Sequence, residues 1–133
     1  MPAIATQKGV RISPRKVAVV ADLVRGRSVK DALTILDYTP RRAAGPVKEA
    51  VKSAAANAEH NHSYKPGTLE IVEISVTSGP RLKRWIPAAR GRARKFQRKT
   101  SHIRVVVDGE VRVIKKASER VAEKSTESVK ETK

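Results

Sequence analysis

Apolar residues recur every three or four positions in the first half of the chain, a spacing that predicts amphipathic helices. In residues 13–26 the apolar positions that share one helical face are Val17, Val20, Ala21 and Val24. Ser13 is a suitable cap for this helix, Pro14 fits its first position, and Gly26 suits the residue just beyond its end. The pattern therefore predicts a well-bounded helix with one face on a core.

The same spacing continues at once in residues 28–38, where the apolar positions are Val29, Ala32, Leu33 and Leu36. Ser28 and Asp31 resemble a capping box in which Asp replaces the usual Glu. We therefore expect a second helix, separated from the first by a very short connection.

Residues 41–61 predict a third, longer helix, whose inner face is a stripe of small side chains: Val47, Ala50, Val51, Ala54 and Ala58. Thr39 and Pro40 are expected to be its cap and its first residue. The dipeptide Gly45-Pro46 interrupts the pattern, because proline removes a helical hydrogen bond and clashes with the preceding turn. The helix is thus expected either to kink there or to begin near Gly45.

Strand-like composition appears in three segments: 3–12, 69–78 and 103–114. In the second of these the apolar phase changes between Ile71 and Val72, which predicts a bulge or burial on both faces. In the third, Asp108-Gly109 could turn the chain back as a small hairpin. The elements together predict an α+β fold in which a small antiparallel sheet packs with three helices.

The segment SGPRLKRWIPAARGRARKFQRKTSHI, residues 78–103, fits none of these helices. It contains no acid, but it has nine bases: Arg81, Lys83, Arg84, Arg90, Arg92, Arg94, Lys95, Arg98 and Lys99. It also holds the only Trp and the only Phe of the chain, Trp85 and Phe96. Because it lies between two strands and PAARG at 87–91 is its best turn, we predict a long protruding β-hairpin with arms 79–87 and 91–101. A solvated, charged loop is the alternative.

Composition narrows the class of partner. The 133 residues carry 29 bases and 13 acids, a formal charge of +16, which favours binding to nucleic acid before anionic membrane. Residues 117–133 have four acids and four bases, and we expect a disordered charged tail there, with a frayed helix as the alternative. Residues 1–116, with 25 bases and nine acids, are then one RNA-binding domain that includes the hairpin 79–101.

Several functional classes are disfavoured. The chain has no cysteine, and no apolar run is long enough to span a bilayer, so we expect a cytoplasmic protein without thiolate metal sites. His60 and His62 are two residues apart and would not face each other on a helix, which disfavours a metal pair. No Ser-His-Asp spacing, no paired carboxylates in an apolar frame and no Gly-rich phosphate loop is present. We therefore expect neither an enzyme nor a cofactor.

Two smaller groups of residues are candidates for RNA contacts. Arg11, Arg15 and Lys16 surround the helix start at Ser13, where free amides attract anions, although solvated charges on a capped helix would look the same. Arg25 at the end of this helix is equally open to either interpretation. His102 lies at the base of the predicted hairpin, where it would bond RNA or cap the strand pair.

From Thr6 to about Asp108 the chain closely resembles the family of bacterial large-subunit ribosomal protein twenty-two. The most specific segments are RISPRKVAVVADLVRG, SAAANAEHN, SGPRLKRWIPAARGRARKFQRKTSHI and the following VVV, which occur in the order typical of the family. The sequence departs from the family at Trp85, where many relatives have a smaller apolar residue. It also departs at Gly45-Pro46 and in the extension after Ala117.

This resemblance implies a structural constituent of the large ribosomal subunit, present in the cytoplasm within the ribosome. It implies binding to several domains of 23S rRNA, support of subunit assembly, and a hairpin that lines the nascent-peptide exit tunnel near the macrolide site. The implied protein partners are neighbouring large-subunit proteins, including large-subunit protein four at the tunnel constriction, and the nascent polypeptide. Composition alone would equally support a free-standing nucleic-acid chaperone of the nucleoid type.

The residues that we predict to bind RNA are basic, aromatic or polar: Arg11, Ser13, Arg15, Lys16, Arg25, Arg81, Lys83, Arg84, Trp85, Arg92, Arg94, Lys95, Arg98, Lys99 and His102. The residues that we predict to line the tunnel surround the hairpin turn: Arg84, Pro87, Ala88, Ala89, Arg90, Gly91 and Arg92.

Overall fold

The structure, a computed structural model, describes residues 2–112. Over this range the chain forms, in order, β1 (Ala3–Val10), α1 (Pro14–Val24), α2 (Val29–Tyr38), α3 (Ala44–His62), β2 (Glu70–Ser78), β3 (Leu82–Pro87), β4 (Ala93–Arg98) and β5 (Ser101–Asp108). This is the predicted α+β class. The predicted disordered tail, residues 117–133, lies outside the described residues.

The body of the protein is an antiparallel sheet in the order β1-β5-β2, covered on one face by the helices. Helix α3 packs on β1 and β5, and α1 packs on β2. The fully buried sheet residues include Ile71 and Ile74 of β2 and Ile103, Val105 and Val107 of β5. No helix formed by residues 2–112 is both long enough and apolar enough to cross a membrane.

The boundaries of α1 and α2 follow the sequence signals. All four residues on the predicted inner face of α1 are buried, and Gly26 adopts a positive φ of 70° just beyond its end, as a C-terminal glycine stop requires. Ser13 occupies the N-cap position, but its hydroxyl makes no capping hydrogen bond. In α2 the Ser28 hydroxyl accepts a bond from the Asp31 amide and donates one to the Asp31 carboxylate, so a compact version of the predicted capping box is present.

Helix α3 begins at Ala44, with Ala43 as its cap, so the prediction that Thr39 and Pro40 start this helix is wrong. Thr39 instead ends α2, where its hydroxyl donates to the carbonyl of Ile35 at 2.7 Å. Pro46 is the third residue of α3, in the first turn, where a backbone N–H has no partner within the helix to lose. The later of the two predicted starts is therefore the observed one, and the small-residue stripe is buried as expected.

The phase change in β2 is a bulge. Ile71 pairs with Val107 and Glu73 with Val106, so Val72 is the extra residue and its side chain is exposed. The bulge allows Ile71 and Ile74 to face the helices although their separation in sequence is odd, because the added residue reverses the alternation of the strand.

The predicted turn-back at Asp108-Gly109 is wrong. After β5 the chain runs beside the end of α3, where Val111 bridges Tyr64 and the Arg112 amide donates to the carbonyl of Ser63 at 2.7 Å. Tyr64 is buried, and this burial together with a hydrogen bond to Asp108 raises the pKa of its hydroxyl. The long-range pairing with Tyr64 gives the backbone groups partners that a tight turn would otherwise have supplied.

Candidate nucleic-acid interface

The hairpin predicted between the last two body strands is present as a separate two-stranded ribbon of β3 and β4. Side chains alternate between its faces. On one face, each cross-strand pair joins an apolar residue to an arginine: Leu82 with Arg98, Phe96 with Arg84, and Ile86 with Arg94. The pairs on the other face are Lys83 with Gln97, Trp85 with Lys95, and Pro87 with Ala93. Both faces thus combine cations with apolar groups, and neither could be buried in an ordinary protein core.

The ribbon is almost wholly exposed. Every residue of β3 and β4 is exposed except Phe96, which is half-buried, and Trp85 retains 59% of its accessible surface. The Lys95 ammonium lies 5.0 Å from the centre of the Trp85 ring, and the Arg98 guanidinium lies 5.8 Å from that of Phe96. Cation–π contacts at exposed sites contribute only about 0.5–1 kcal/mol each. The Trp85 ring therefore presents a large free surface beside a positive charge.

Pairing is irregular where the ribbon joins the body, so the two arms are not the continuous strands that we predicted. Ser78 pairs with Ser101 and Leu82 with Arg98, so the outgoing arm has one more residue than the returning arm. Pro80 lies in this gap and has no N–H for a ladder bond. The joint is held instead by the Gly79 amide, which donates to the Thr100 carbonyl at 2.9 Å, and by the Thr100 hydroxyl, which donates to the Pro80 carbonyl at 2.7 Å.

The turn at the far end of the ribbon contains the predicted tip residues Ala88, Ala89, Arg90, Gly91 and Arg92, whereas Arg84 and Pro87 lie in β3. Its backbone is closed by a 2.7 Å bond from the Ala88 amide to the Arg92 carbonyl. Arg90 and Gly91 both have positive φ, 58° and 68°, so the reversal uses two successive left-handed residues. Apart from the two arginines, the turn has only small side chains, all of them exposed.

A cleft of about 850 Å³ separates the ribbon from the body. Its walls come from four parts of the chain: Arg11, Ile12, Ser13, Lys16; Arg41, Arg42, Ala43; Leu82, Arg84; and Gln97, Arg98, Lys99, Thr100. We call it the basic cleft, because seven of these residues are Lys or Arg and none is Asp or Glu. It brings together two groups that the sequence suggested separately, the bases at the start of α1 and those at the base of the hairpin.

The charges of the basic cleft are not neutralised within the described part of the chain. The ion pairs found among residues 2–112 join Arg25 to Asp22, Lys48 to Asp37 and Lys65 to Glu110, all outside the cleft. A concave surface lined by one sign of charge concentrates its potential and attracts oppositely charged ligands. The cleft is therefore suited to an anion of extended shape.

Arg41 and Arg42 are the basic residues of the cleft that sequence reasoning missed. The predicted third helix includes this segment, and two adjacent bases on an exposed helix are an ordinary solvated pair. In the structure it is a turn between α2 and α3, closed by bonds from the Arg41 amide to the Thr39 carbonyl and from the Ala44 amide to the Arg41 carbonyl. The signal that could have identified them is Pro46, since a helix starting near Gly45 leaves the Arg-Arg pair in a loop.

Three predicted RNA-binding residues lie elsewhere. Arg15 is exposed on α1 but does not line the basic cleft. The Arg25 guanidinium is 2.9 Å from the Asp22 carboxylate and donates to the Ile74 carbonyl at 3.2 Å, so it links α1 to β2. The imidazole Nδ1 of His102 accepts a bond from the Gly9 amide at 3.0 Å. His102 thus fastens β1 to β5 below the hairpin.

The remaining predicted residues of the hairpin, Arg81, Lys83, Arg92, Arg94 and Lys95, are exposed along the joint, the ribbon and its turn. His60 is exposed near the end of α3, and the His62 ring stacks on that of Tyr64 with centroids 5.8 Å apart. The candidate interface therefore consists of the basic cleft and the two-faced ribbon that extends from it.

Comparisons with known proteins agree on one family. Residues 5–108 match the family described as Ribosomal protein L22p/L17e. The large ribosomal subunit protein uL22 of Desulforamulus reducens is 53% identical over 107 residues, which cover 80% of this chain and 95% of that protein. The protein of the same name from Clostridioides difficile is 51% identical over 107 residues, covering 80% and 96%. That from Herpetosiphon aurantiacus is 49% identical over 112 residues, covering 84% and 99%.

The matched residues contain the body from Ala5 to Asp108 and the complete ribbon, so they include both parts of the candidate interface. The extent of the match and the degree of identity together establish the family of this chain. The chain therefore belongs to the ribosomal protein L22p/L17e family, and it is a structural constituent of the large ribosomal subunit rather than an enzyme.

Proposed function

We propose that the chain binds 23S rRNA through one continuous surface, formed by the basic cleft and by both faces of the β3–β4 ribbon. The observation that carries this proposal is the unneutralised charge of the cleft and ribbon, which lies next to exposed Trp85 and half-buried Phe96. Lys and Arg neutralise phosphates and release counterions, while aromatic and guanidinium planes stack on unpaired bases. The surface offers both kinds of contact within a few residues.

RNA also accounts for the stability of the ribbon. A lone two-stranded hairpin is marginal in water, and the repulsion among its bases weakens this one further. Phosphates that lie between the arginines would replace repulsion by attraction on both faces at once. Most of the incorporation energy is then supplied by the body, through its side of the basic cleft, which supports a role in subunit assembly.

We propose that the turn at the end of the ribbon lines the nascent-peptide exit tunnel near the macrolide site, next to large-subunit protein four. The ribbon ladder of six residues per strand extends on the order of 20 Å from the joint. Its end has the small residues Ala88, Ala89 and Gly91, which leave room for a passing nascent polypeptide. Family membership supports this assignment.

Salt dependence tests the proposal of RNA binding. If the surface contacts about six to ten phosphates, the affinity for 23S rRNA should fall by roughly a thousandfold or more between about 50 and 200 mM salt. A nearly flat response would contradict the proposal. A variant that ends at Lys116 is the control, because the residues it lacks contain four acids and four bases and their removal should leave the slope unchanged.

Sucrose-gradient fractionation separates the proposal from a free-standing nucleic-acid chaperone of the nucleoid type. The chain should sediment almost wholly with large subunits at moderate salt, whereas a nucleoid-type protein would follow DNA. Crosslinks from Trp85, Arg90 and Lys99 should then fall on 23S rRNA, and those from Arg90 should map beside the tunnel.

A further inference from the structure

We infer that the basic cleft binds a short single-stranded segment of RNA, and that it excludes a double helix. The inference rests on the proposed RNA-binding function and deepens it by naming the form of RNA that this part of the surface recognises. Three features of the cleft carry it: its size, its apolar lining and the arrangement of its arginines.

The size of the basic cleft limits which form of RNA can enter it. A volume of about 850 Å³ is that of a pocket for a drug-sized ligand, which corresponds to roughly two nucleotides. A duplex is far wider than such a cleft and could only rest on its rim. The residues of the interior would then remain in water, and the binding energy that they can supply would be lost.

Apolar groups in the cleft match an unstacked nucleotide better than a paired one. Half-buried Ile12 lines the cleft on the body, and exposed Leu82 lines it on the ribbon. In a duplex the faces of the bases are stacked inside and only phosphates, sugars and base edges are presented. A splayed base offers an apolar face to these side chains and a planar surface on which an arginine can stack.

The arginines are placed on both sides of the cleft. Arg41 and Arg42 project from the body, whereas Arg84 and Arg98 belong to one face of the ribbon. Guanidinium groups bind phosphate oxygens in a bidentate manner and also stack on bases. A single strand lying between the walls would be held from both sides, and it would fix the direction of the ribbon relative to the body.

Methyl NMR on the full 133-residue chain tests the inference, with a four-nucleotide oligouridine and a blunt RNA duplex at equal phosphate concentration as probes. The oligouridine should shift the methyl signals of Ile12 and Leu82 in a saturable manner. The ribbon methyl of Ile86 lies outside the cleft and reports other contacts, and the buried Ile74 methyl reports the fold. We expect the apparent affinity at Ile12 and Leu82 to be at least about fivefold higher for the single strand, because one stacked base contributes that much.

Two double variants locate the binding. Arg41→Ala with Arg42→Ala should weaken oligouridine binding about tenfold and make the slope of log affinity against log salt shallower by about 1.4, the contribution of two phosphates on a single strand. Lys30→Ala with Lys52→Ala removes the same charge from exposed positions outside the cleft and should change the affinity by less than about twofold. An unshifted Ile74 methyl signal in each variant shows that the fold is intact.

The inference is overturned if the duplex shifts Ile12 and Leu82 as strongly as the oligouridine, if neither probe shifts them, or if the lysine pair weakens binding as much as the arginine pair. These results are distinct from a failure of the proposed function. If the chain still binds 23S rRNA with steep salt dependence but its cleft methyl signals do not respond, the proposed function stands and the inference about the cleft is wrong. If the chain does not bind 23S rRNA, the proposed function itself is wrong.

Discussion

Strands β5 and β3 are made of similar lengths of extended chain, yet they are stabilised in opposite ways. In β5 the residues Ile103, Val105 and Val107 are fully buried against helices, whereas all six residues of β3 are exposed. Burial of a side chain such as Ile or Val contributes about 1.5–3 kcal/mol to stability, and β3 gains almost nothing from such burial. The body thus contains its own stabilising interactions, while the ribbon has the groups that a polyanion would stabilise.

The two regions also differ in how they treat charge. The body forms ion pairs such as Lys48 with Asp37 and Lys65 with Glu110, and its acids are scattered among its bases. Between Glu73 and Asp108 the sequence has ten bases and no acid. A region that cannot neutralise itself is organised for binding rather than for folding, and the bases that the body contributes to the basic cleft resemble the ribbon in this respect.

Deleting residues 82–84 should break the ribbon and spare the body, and it is the most drastic of the changes considered. Three residues span about 10 Å, and an odd deletion reverses the facing of every residue beyond it or forces a bulge. We expect the deleted chain to enter large subunits and to change both the tunnel constriction and macrolide inhibition of translation. Mass spectrometry of purified subunits and drug inhibition with the same particles measure the two effects.

The matched variant for that deletion is Arg15→Glu with Lys16→Glu, which alters the body at the start of α1. It should reduce incorporation and leave the drug response of the remaining ribosomes unchanged. Absence of the deleted chain from subunits, or its presence with an unchanged tunnel and drug response, would show that body and ribbon do not divide anchoring and channel shaping in this way.

Ile74→Ala and Ile86→Ala make the same chemical change in the two regions. Ile74 is 1% exposed in the core, so its truncation should lower the free energy of unfolding by about 2–5 kcal/mol. Ile86 is 48% exposed on the ribbon, and the same truncation should cost less than about 0.5 kcal/mol. Urea unfolding of the free protein measures both, and equal losses would mean that the ribbon is part of the cooperative core.

Gly79→Ala tests the joint between the regions. A methyl group at Gly79 would lie 2.6 Å from the Thr100 hydroxyl and 3.2 Å from the His102 ring, so the hydroxyl would have to leave the Pro80 carbonyl. We expect a loss of about 1–3 kcal/mol in the free energy of unfolding. Gly45→Ala is the control, because a methyl group there meets no atom within 4 Å and alanine favours the helix. An unchanged free energy of unfolding in the Gly79→Ala variant would show that the joint accommodates a methyl group without cost.

The smallest expected effect is confined to alkaline pH and to the body. Because burial and Asp108 raise the pKa of Tyr64 in the folded state, the protonated phenol contributes stability that is complete below its ordinary pKa of 10.0 and is lost as the pH rises through the raised value. Tyr64→Phe should therefore flatten the alkaline decline of stability, while Tyr38→Phe, at an exposed position, should leave it unchanged. Thermal unfolding from neutral to alkaline pH measures the decline in stability. Parallel declines in the two variants would contradict the role of Tyr64 in it.

Local signals in the sequence predicted several features that the structure contains. The i, i+3, i+4, i+7 spacing identified the buried faces of α1 and α3, and the phase change at Val72 identified the bulge of β2. The position of the ribbon followed from a turn motif between two strands. Such features depend on residues that are neighbours along the chain, or within one helical turn, and for that reason they could be inferred without coordinates.

Other features depended on contacts between distant residues. Arg25 is held by Asp22 and by the carbonyl of Ile74, and no local pattern tells this bond from an RNA contact. The same holds for His102, which bonds the Gly9 amide 93 residues away. Val111 pairs with Tyr64 rather than folding back on β5, because the end of α3 lies beside it in the folded body.

The fold class, the acid-free ribbon and the excess of positive charge could all be predicted from the sequence, since they are properties of composition and local order. That Arg11, Lys16 and the Arg41-Arg42 turn line one cleft with the base of the ribbon is evident only in the folded chain. This is because the cleft exists only after the helices have packed on the sheet and the joint has set the direction of the ribbon. The charge of each residue is known from the sequence, but a concave surface is a property of the folded chain.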